Sequence, residues 1–171
     1  MLNNHFTTKD ITKISIMSAL IFVSTYIIKF PSLNGYTHIG DSMIFLAVLL
    51  LGKKKGALAA GLGAALSDLL GGYMQYILPT FLIKFIMALI MGIITEKLFS
   101  KTKYSFIIGS IIGGAFQVIA YAFVETFMYN FTSALASIPS NTVQSITGVV
   151  IATVLVTVLE KSNVLKKLKS I

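Results

Sequence analysis

Apolar runs recur along nearly the whole chain and alternate with short polar or turn-rich connectors. Six such segments can be delimited, at residues 13–28, 41–51, 56–70, 80–95, 104–127 and 143–159. Of the 171 residues, 56% are hydrophobic and only 12% are charged, which is typical of an integral membrane protein. The sequence therefore predicts an all-α membrane protein with six transmembrane helices, forming a single domain over residues 1–171.

The lysines are distributed unequally between the two sides of such a bundle. When the chain crosses a bilayer six times, twelve of the fourteen lysines fall on one side, Lys29 falls on the other, and Lys84 lies within a span. Because cytoplasmic loops are enriched in lysine, both termini are predicted to be cytoplasmic, with the protein in the plasma membrane. The twelve are Lys9, Lys13, Lys53, Lys54, Lys55, Lys97, Lys101, Lys103, Lys161, Lys166, Lys167 and Lys169.

Several functional classes find no support in the sequence. The net charge of +8 comes from lysines alone, and the arginines that recognise bases and phosphates bidentately are missing, so no nucleic-acid partner is expected. There is no cysteine, phosphate-binding loop, HExxH, GxSxG or paired-aspartate pattern. We therefore expect no enzyme activity, no metal site and no cofactor in this chain.

The second segment is too short to cross a bilayer. The twelve residues from Asp41 to Gly52 would form a helix of about 18 Å, against a hydrocarbon core of roughly 30 Å. The preceding stretch, "SLNGYTHIG", is predicted to dip into the bundle and complete the crossing, which implies an outward-facing cavity. Gly35 and Gly40 bracket this loop with flexible backbone, so we expect it to act as an outer lid.

Ionisable, amide and aromatic groups cluster at the depth of this cavity. Unpaired charges are costly in a bilayer, so such groups face the bundle interior, pair with one another or contact a ligand. Gln117, Tyr121 and Glu125 share one helical face. The residues predicted to bind substrate are Tyr36, His38, Asp41, Asp68, Tyr73, Lys84, Gln117 and Tyr121.

Each of these residues also has a purely structural interpretation. Asp41 could be only the N-cap of the short helix, and Asp68 could form a structural ion pair with Lys84. His38 could be an ordinary surface residue and Glu125 an interfacial one. The outer tyrosines could form an aromatic belt, and the small residues of "GALAAGLGAALSDLLGG" and "GSIIGG" are expected to serve helix packing.

Three stretches carry a family resemblance: "GYTHIGD" at residues 35–41, "LLGKKKGALAAGLGAALSDLLGGY", and "PTFLIKFIMALIMG". Together they resemble the substrate-binding S components of energy-coupling factor (ECF) vitamin transporters, most strongly over residues 31–92. Among those proteins, the chain is most similar to the branch that includes carriers of riboflavin, pyridoxine and hydroxymethylpyrimidine.

The resemblance implies a six-helix fold that binds a vitamin at its outer side. It further implies docking onto a membrane coupling protein driven by two cytoplasmic ATPase subunits, which hydrolyse the ATP, and toppling of the S component to release its cargo. A pair of small residues on the first helix meets the coupling protein in that family, and Ser15 with Ala19 is the nearest match here.

Stacking on tyrosines and hydrogen bonds from His38, Gln117 or a carboxylate would suit a small heteroaromatic ring. Pyridoxine or hydroxymethylpyrimidine is favoured, and riboflavin would require a larger pocket. Two other classes stay open: a structural six-helix membrane scaffold, which would need no polar cluster, and a proton-coupled transporter, against which the lack of an inverted repeat argues.

Overall fold

A computed structural model describes residues 6–100, 102 and 104–170. Lys101 and Lys103, two of the lysines predicted to be cytoplasmic, lie outside the described residues. In chain order the elements are α1 (Thr8–Ile27), β1 (Lys29–Pro31), β2 (Tyr36–His38), α2 (Asp41–Gly71), a 3₁₀ turn (Met74–Tyr76), α3 (Ile77–Ile93), a π-helical turn (Ile94–Leu98), α4 (Ser105–Met128), α5 (Phe131–Lys161) and α6 (Val164–Ser170).

Four helical stretches among the described residues are long and apolar enough to cross a membrane. They are Thr8–Ile27, Met74–Leu98, Ser105–Met128 and Phe131–Lys161. Helix α2 is not one of them, because Lys53, Lys54 and Lys55 interrupt its apolar sequence near the middle. The helical membrane architecture agrees with the prediction, whereas the second and third predicted segments belong to this one interrupted helix.

Helix α2 is broken at Gly52, where φ is 78° and ψ is 168°. A Cβ atom built on Gly56 would lie only 2.7 Å from Cα of Val48. Residues eight apart in an uninterrupted helix are separated by about 12 Å along the axis, so the chain must fold back at Gly52. Glu96 fixes the reversal by accepting a hydrogen bond of 2.7 Å from the backbone N–H of Lys53.

Small residues allow the helices to approach closely, as the sequence predicted. A Cβ on Gly63 of α2 would be 2.5 Å from the carbonyl oxygen of Ser18 in α1. A Cβ on Gly113 of α4 would be 3.1 Å from the carbonyl oxygen of Met87 in α3. Side chains at either position would push these backbones apart. The core packed around these contacts is apolar and includes Ile21, Phe45 and Met87.

The connector between α1 and α2 is a two-stranded hairpin, not the irregular loop that was predicted. Strands β1 and β2 are antiparallel, with Lys29 opposite His38 and Pro31 opposite Tyr36. The turn is closed by a hydrogen bond of 3.0 Å from the Ser32 N–H to the Gly35 carbonyl. Pairing within the hairpin satisfies its backbone groups, which irregular backbone could not do inside a bundle.

Helix α5 begins twelve residues earlier than the predicted last segment at 143–159. The side chain of Asn130 caps its first turn by accepting a hydrogen bond of 2.8 Å from the Ser133 N–H. Pro139 lies inside the helix, and the serine-rich stretch around it had indicated a connector. Ser140 and Thr142 instead donate to carbonyl oxygens within the same helix, at 2.8 Å each.

Ion pairs hold together the end of the bundle opposite the hairpin. Lys55 of α2 pairs with Asp10 in the first turn of α1, and Lys53 pairs with Glu96 after α3. Two lysines that follow Gly52 therefore lie beside the start of α1 and the end of α3, at this end of the bundle. The hairpin and the buried residues Asp41, Asp68 and Glu125 lie at the other end.

Candidate functional site

A cavity lies beneath the hairpin, enclosed by parts of α1 to α5. Its volume is about 50 Å³. All lining residues except Gly35 and Ala64 have polar side chains. The lining consists of Thr25, Ser32, Asn34, Gly35, Tyr36, His38, Ala64, Asp68, Tyr73, Tyr76, Thr80, Tyr121, Glu125, Ser137, Ser140, Asn141 and Gln144.

Five of the eight residues predicted to bind substrate line this cavity: Tyr36, His38, Asp68, Tyr73 and Tyr121. Tyr36 and Tyr73 form an aromatic wall, with ring centroids 4.9 Å apart and planes inclined by 52°. The Tyr121 hydroxyl donates to Oγ1 of Thr80 at 3.1 Å. The structure thus brings aromatic, hydroxyl and carboxylate groups from separate parts of the chain to one space.

The other three predicted residues, Asp41, Lys84 and Gln117, are not in the lining. Each is fully buried. Lys84 donates to Oδ1 of Asp41 and to Oε1 of Gln117. Asp41 also accepts hydrogen bonds from Gln117 at 2.7 Å and Gln144 at 3.2 Å. These mutual bonds pair the buried charges with one another, as a buried ion pair requires.

Two structural alternatives considered for these residues are wrong. Gly40, not Asp41, is the N-cap of α2, and no side chain makes a capping hydrogen bond there. The Asp41 carboxylate points instead to Lys84, because a buried ammonium needs a nearby counter-charge. Lys84 therefore pairs with Asp41 and not with Asp68.

Asp68 is bound to the hairpin through Tyr36. The Tyr36 hydroxyl donates to Oδ1 of Asp68 at 2.7 Å and lies 3.1 Å from Oγ of Ser67. Burial raises the pKa of Tyr36 well above its usual value, so this hydroxyl keeps its proton at neutral pH. Oδ2 of Asp68 is buried and accepts no hydrogen bond of normal geometry from the described residues.

His38 is buried, so its interpretation as a surface residue is wrong. Its Nδ1 accepts a hydrogen bond of 3.1 Å from the Gly40 N–H, and its backbone N–H donates to Gln144 at 3.3 Å. Burial lowers the pKa of the imidazole to about 3, since desolvation disfavours the charged form. His38 is therefore neutral at physiological pH, and Nε2 carries the proton.

Glu125 belongs to the site, although the sequence analysis left it outside the predicted set. It is buried within the protein near the end of α4. Tyr76 and Asn34 donate to it at 3.1 Å each, and Ser137 donates to its Oε2. Its spacing from Gln117 and Tyr121 on one face of α4 was the signal that indicated it.

The contribution of α5 was missed altogether. Ser137, Ser140, Asn141 and Gln144 line the cavity from this helix. Their spacing of three, one and three residues places them on one helical face. That polar stripe would have been visible in the sequence if residues 131–142 had been assigned to a helix.

Ser15 and Ala19 lie away from the cavity, on the exposed face of α1. The residues of α1 that pack into the bundle are Ile14, Met17, Ile21 and Thr25. The predicted contact pair is thus free of the protein's own packing and accessible to another membrane helix.

Comparison with known proteins identifies the family. The model of the "ECF-type riboflavin transporter, S component" family matches residues 5–161. The chain is an ECF-type S component. The S component is also 30% identical over 160 residues to the thiamine precursor transporter HmpT of Lactococcus lactis subsp. cremoris (strain MG1363), covering 92% of this chain and 91% of that one.

Two further similarities accompany this match. An uncharacterised protein of Pyrococcus woesei is 33% identical over 134 residues, covering 77% of this chain and 88% of the other. A solved structure described as the S component of a bacterial ECF transporter superposes with a TM-score of 0.73 at 23% identity, covering 90% of this chain and 96% of that one. That similarity confirms the fold.

Family membership settles the broad functional class. S components are transport proteins that serve the uptake of vitamins or their precursors, and they are not enzymes. With several helices suited to crossing a bilayer, this S component is a multi-pass protein of the plasma membrane. A structural scaffold with a similar helix count is therefore no longer an alternative.

Proposed function

We propose that this S component captures a small heteroaromatic vitamin or vitamin precursor in the cavity beneath the hairpin. Hydroxymethylpyrimidine or pyridoxine is the favoured ligand. The observation that carries the proposal is the lining itself, in which four tyrosines surround hydroxyl, amide and carboxylate groups. Aromatic rings stack on a planar ligand, while the polar groups fix its orientation.

Two observations favour a small ring over riboflavin. The cavity volume is about 50 Å³, whereas a three-ring flavin with a ribityl chain needs a larger pocket. The similarity to a thiamine precursor transporter also extends over most of both chains. Riboflavin is the second candidate, because the matching family model is described by that vitamin.

The fold-back at Gly52 supports six membrane crossings in a single domain. If residues 41–51 and 53–71 cross separately, α1, these two halves, α3, α4 and α5 together make six spans. The ion pairs Lys53–Glu96 and Lys55–Asp10 then lie at the cytoplasmic end, together with both termini. The hairpin and cavity face outward, and the hairpin serves as the lid.

Uptake would require partners. We assign the exposed pair Ser15 and Ala19 on α1 to contact with an ECF coupling protein, whose two cytoplasmic ATPase subunits would supply the energy. Small exposed side chains allow a partner helix to approach closely, and the exposure of both residues supports this assignment.

Calorimetry on the purified protein tests the proposed function. Hydroxymethylpyrimidine, pyridoxine and riboflavin would each be titrated without nucleotide, and native mass spectrometry would identify any co-purified molecule. We expect binding of one small heteroaromatic compound at a ratio of one to one. Absence of binding across the panel and of any co-purified vitamin would contradict the proposal.

A further inference from the structure

One carboxylate oxygen in the cavity has an unsatisfied hydrogen-bonding requirement. Asp68 is 5% exposed and lines the cavity. Its Oδ1 accepts from Tyr36, but Oδ2 is buried and accepts no hydrogen bond of normal geometry from the described residues, although the Thr80 hydroxyl, which itself accepts from Tyr121, lies beside the carboxylate. Native proteins rarely leave a buried charged acceptor unpaired, because desolvation is costly. An acceptor of this kind in a binding cavity indicates a donor on the ligand.

The hydroxyl of Thr25 also has an unsatisfied hydrogen-bonding requirement. It is 1% exposed, lines the cavity, and likewise lacks a partner within the described part of the chain. A Cβ atom on Gly40 would lie 1.9 Å from this Oγ1, so the hydroxyl packs directly against the backbone that starts α2. A hydroxyl can donate or accept, and it therefore sets no charge preference of its own.

The charged side chains that line the cavity are both acidic, although Lys29 and Lys84 lie behind the lining. Asp68 and Glu125 are the charged residues of the described lining, and His38 is neutral. Lys84 is held by Asp41 and Gln117 outside the lining. The Nζ of Lys29 lies 5.0 Å from the centroid of the Tyr36 ring and is not part of the lining. The cavity therefore favours cationic or hydrogen-donating ligands over anions.

We propose that Asp68 determines specificity by accepting a hydrogen bond from an amino group of the ligand. The substrate class is then an unphosphorylated amino-substituted heteroaromatic base. This inference rests on the proposed function, since it names the ligand class of the same cavity. It adds that the phosphate ester of the same base is excluded, because its negative charges would meet Asp68 and Glu125.

The test uses three probes that differ at single groups. They are 4-amino-5-hydroxymethyl-2-methylpyrimidine, its 4-oxo analogue and its phosphate ester, each titrated calorimetrically into the full-length protein in detergent. For the wild type, we expect the amino compound to bind at least about tenfold more tightly than either of the others, since hydrogen bonds to charged groups are strong.

Asp68→Asn should change this preference without changing the size of the side chain. The amide can still accept from Tyr36 through Oδ1, but it presents N–H donors in place of Oδ2. We expect it to weaken binding of the amino compound by about tenfold or more and to improve the relative affinity of the oxo analogue. Glu160→Gln, an exposed acidic residue at the end of α5, is the matched control and should leave all three affinities unchanged.

The outcomes separate the two proposals. If the wild type binds the amino compound and the oxo analogue or phosphate ester equally well, the role of Asp68 is wrong while the proposed function stands. If Asp68→Asn folds and keeps the wild-type preference for the amino compound, the role of Asp68 is likewise wrong and the proposed function stands. Should Asp68→Asn fail to fold, the wild-type comparison alone decides. If the wild type binds only riboflavin, or no heteroaromatic compound at all, the inference is overturned, and in the second case the proposed function is overturned with it.

Discussion

Asp41 and Lys84 place opposite charges next to each other in the interior, and both side chains are fully buried. Removing both charges from water costs several kcal/mol per ion, which their attraction and the surrounding hydrogen bonds must offset. Gln117 contacts both partners, and Gln144 contacts Asp41. Because the backbone N–H of His38 donates to Gln144, the cluster also supports the inner end of the hairpin.

Lys84→Met should destabilise the protein by about 3–5 kcal/mol, because it leaves the Asp41 carboxylate buried without a counter-charge. Adding Asp41→Asn should recover most of that loss. The measurement is thermal or denaturant unfolding in detergent, followed by circular dichroism. Lys54→Met, at an exposed position in the same bundle, is the control. An effect of Lys84→Met no larger than that of the control would show that the pair is not a structural element.

His38 should make the protein sensitive to acid. In the unfolded chain its imidazole takes up a proton near pH 6.5, whereas in the native protein its pKa is about 3. Between these values the unfolded state binds more protons, so stability falls as the pH falls. The contribution of one such group approaches about 1.4 kcal/mol per pH unit.

Unfolding of the wild type and of His38→Gln, measured from pH 7 to pH 4, checks this expectation. The variant has no imidazole to protonate, so its stability should decline less steeply. Titrating groups that do not interact with His38 are common to both proteins and cancel in the difference. Parallel pH profiles would contradict the assignment of a neutral, buried His38.

The sequence predicted several residues of this site, but it did not predict which carboxylate pairs with Lys84. The shared helical face of Gln117, Tyr121 and Glu125 was evident from spacing alone. Which carboxylate neutralises Lys84 was not, because Asp68 was predicted at a depth similar to that of Lys84 and so suggested the wrong pair. The choice depends on how the helices rotate against one another, and sequence periodicity does not determine that rotation.

At the level of elements, the fold-back in α2 depends on one glycine. Gly52 has a combination of φ and ψ that is essentially restricted to glycine. Gly52→Ala should therefore cost on the order of 1–3 kcal/mol in the free energy of unfolding. Gly35→Ala is the control, since a Cβ there meets nothing within 4 Å. Equal stability of the two variants would contradict the strain at Gly52.

The sequence predicted the turn at Gly52 correctly but placed the start of α5 too late. The residues of each stretch explain the difference. "GKKKG" combines two glycines with three charges, and only a turn at the membrane edge accommodates it. Pro139 and its neighbouring serines are typical of loops, yet Asn130 supplies a cap and the serine hydroxyls bond within the helix. Local propensity was overridden there by tertiary packing.

At the level of the whole molecule, one helix presents small side chains to the outside. Ser15→Leu combined with Ala19→Leu should abolish uptake by cells that contain the partner proteins, because the bulky side chains hold a docking helix away. Ligand affinity of the purified variant should stay within about twofold of the wild type, since neither residue lines the cavity. Uptake assays and calorimetry measure the two effects separately.

Thr157→Leu, an exposed position on α5, is the matched control and should leave uptake intact. Loss of ligand affinity in the double leucine variant would place Ser15 and Ala19 within the protein's own packing. Uptake by proteoliposomes that contain only this S component, driven by an ion gradient, would contradict the need for partners.

The buried pair of Asp41 and Lys84 also bears on how the chain is made. The two residues lie on opposite sides of the fold-back, so neither of their segments carries its own counter-charge while the ribosome delivers it. A lone charge disfavours entry of a helix into lipid by about 2.5–3.5 kcal/mol. We therefore expect residues 41–51 to insert into the bilayer only after α3 has been synthesised. The two segments would then insert together, with Asp41 and Lys84 already paired.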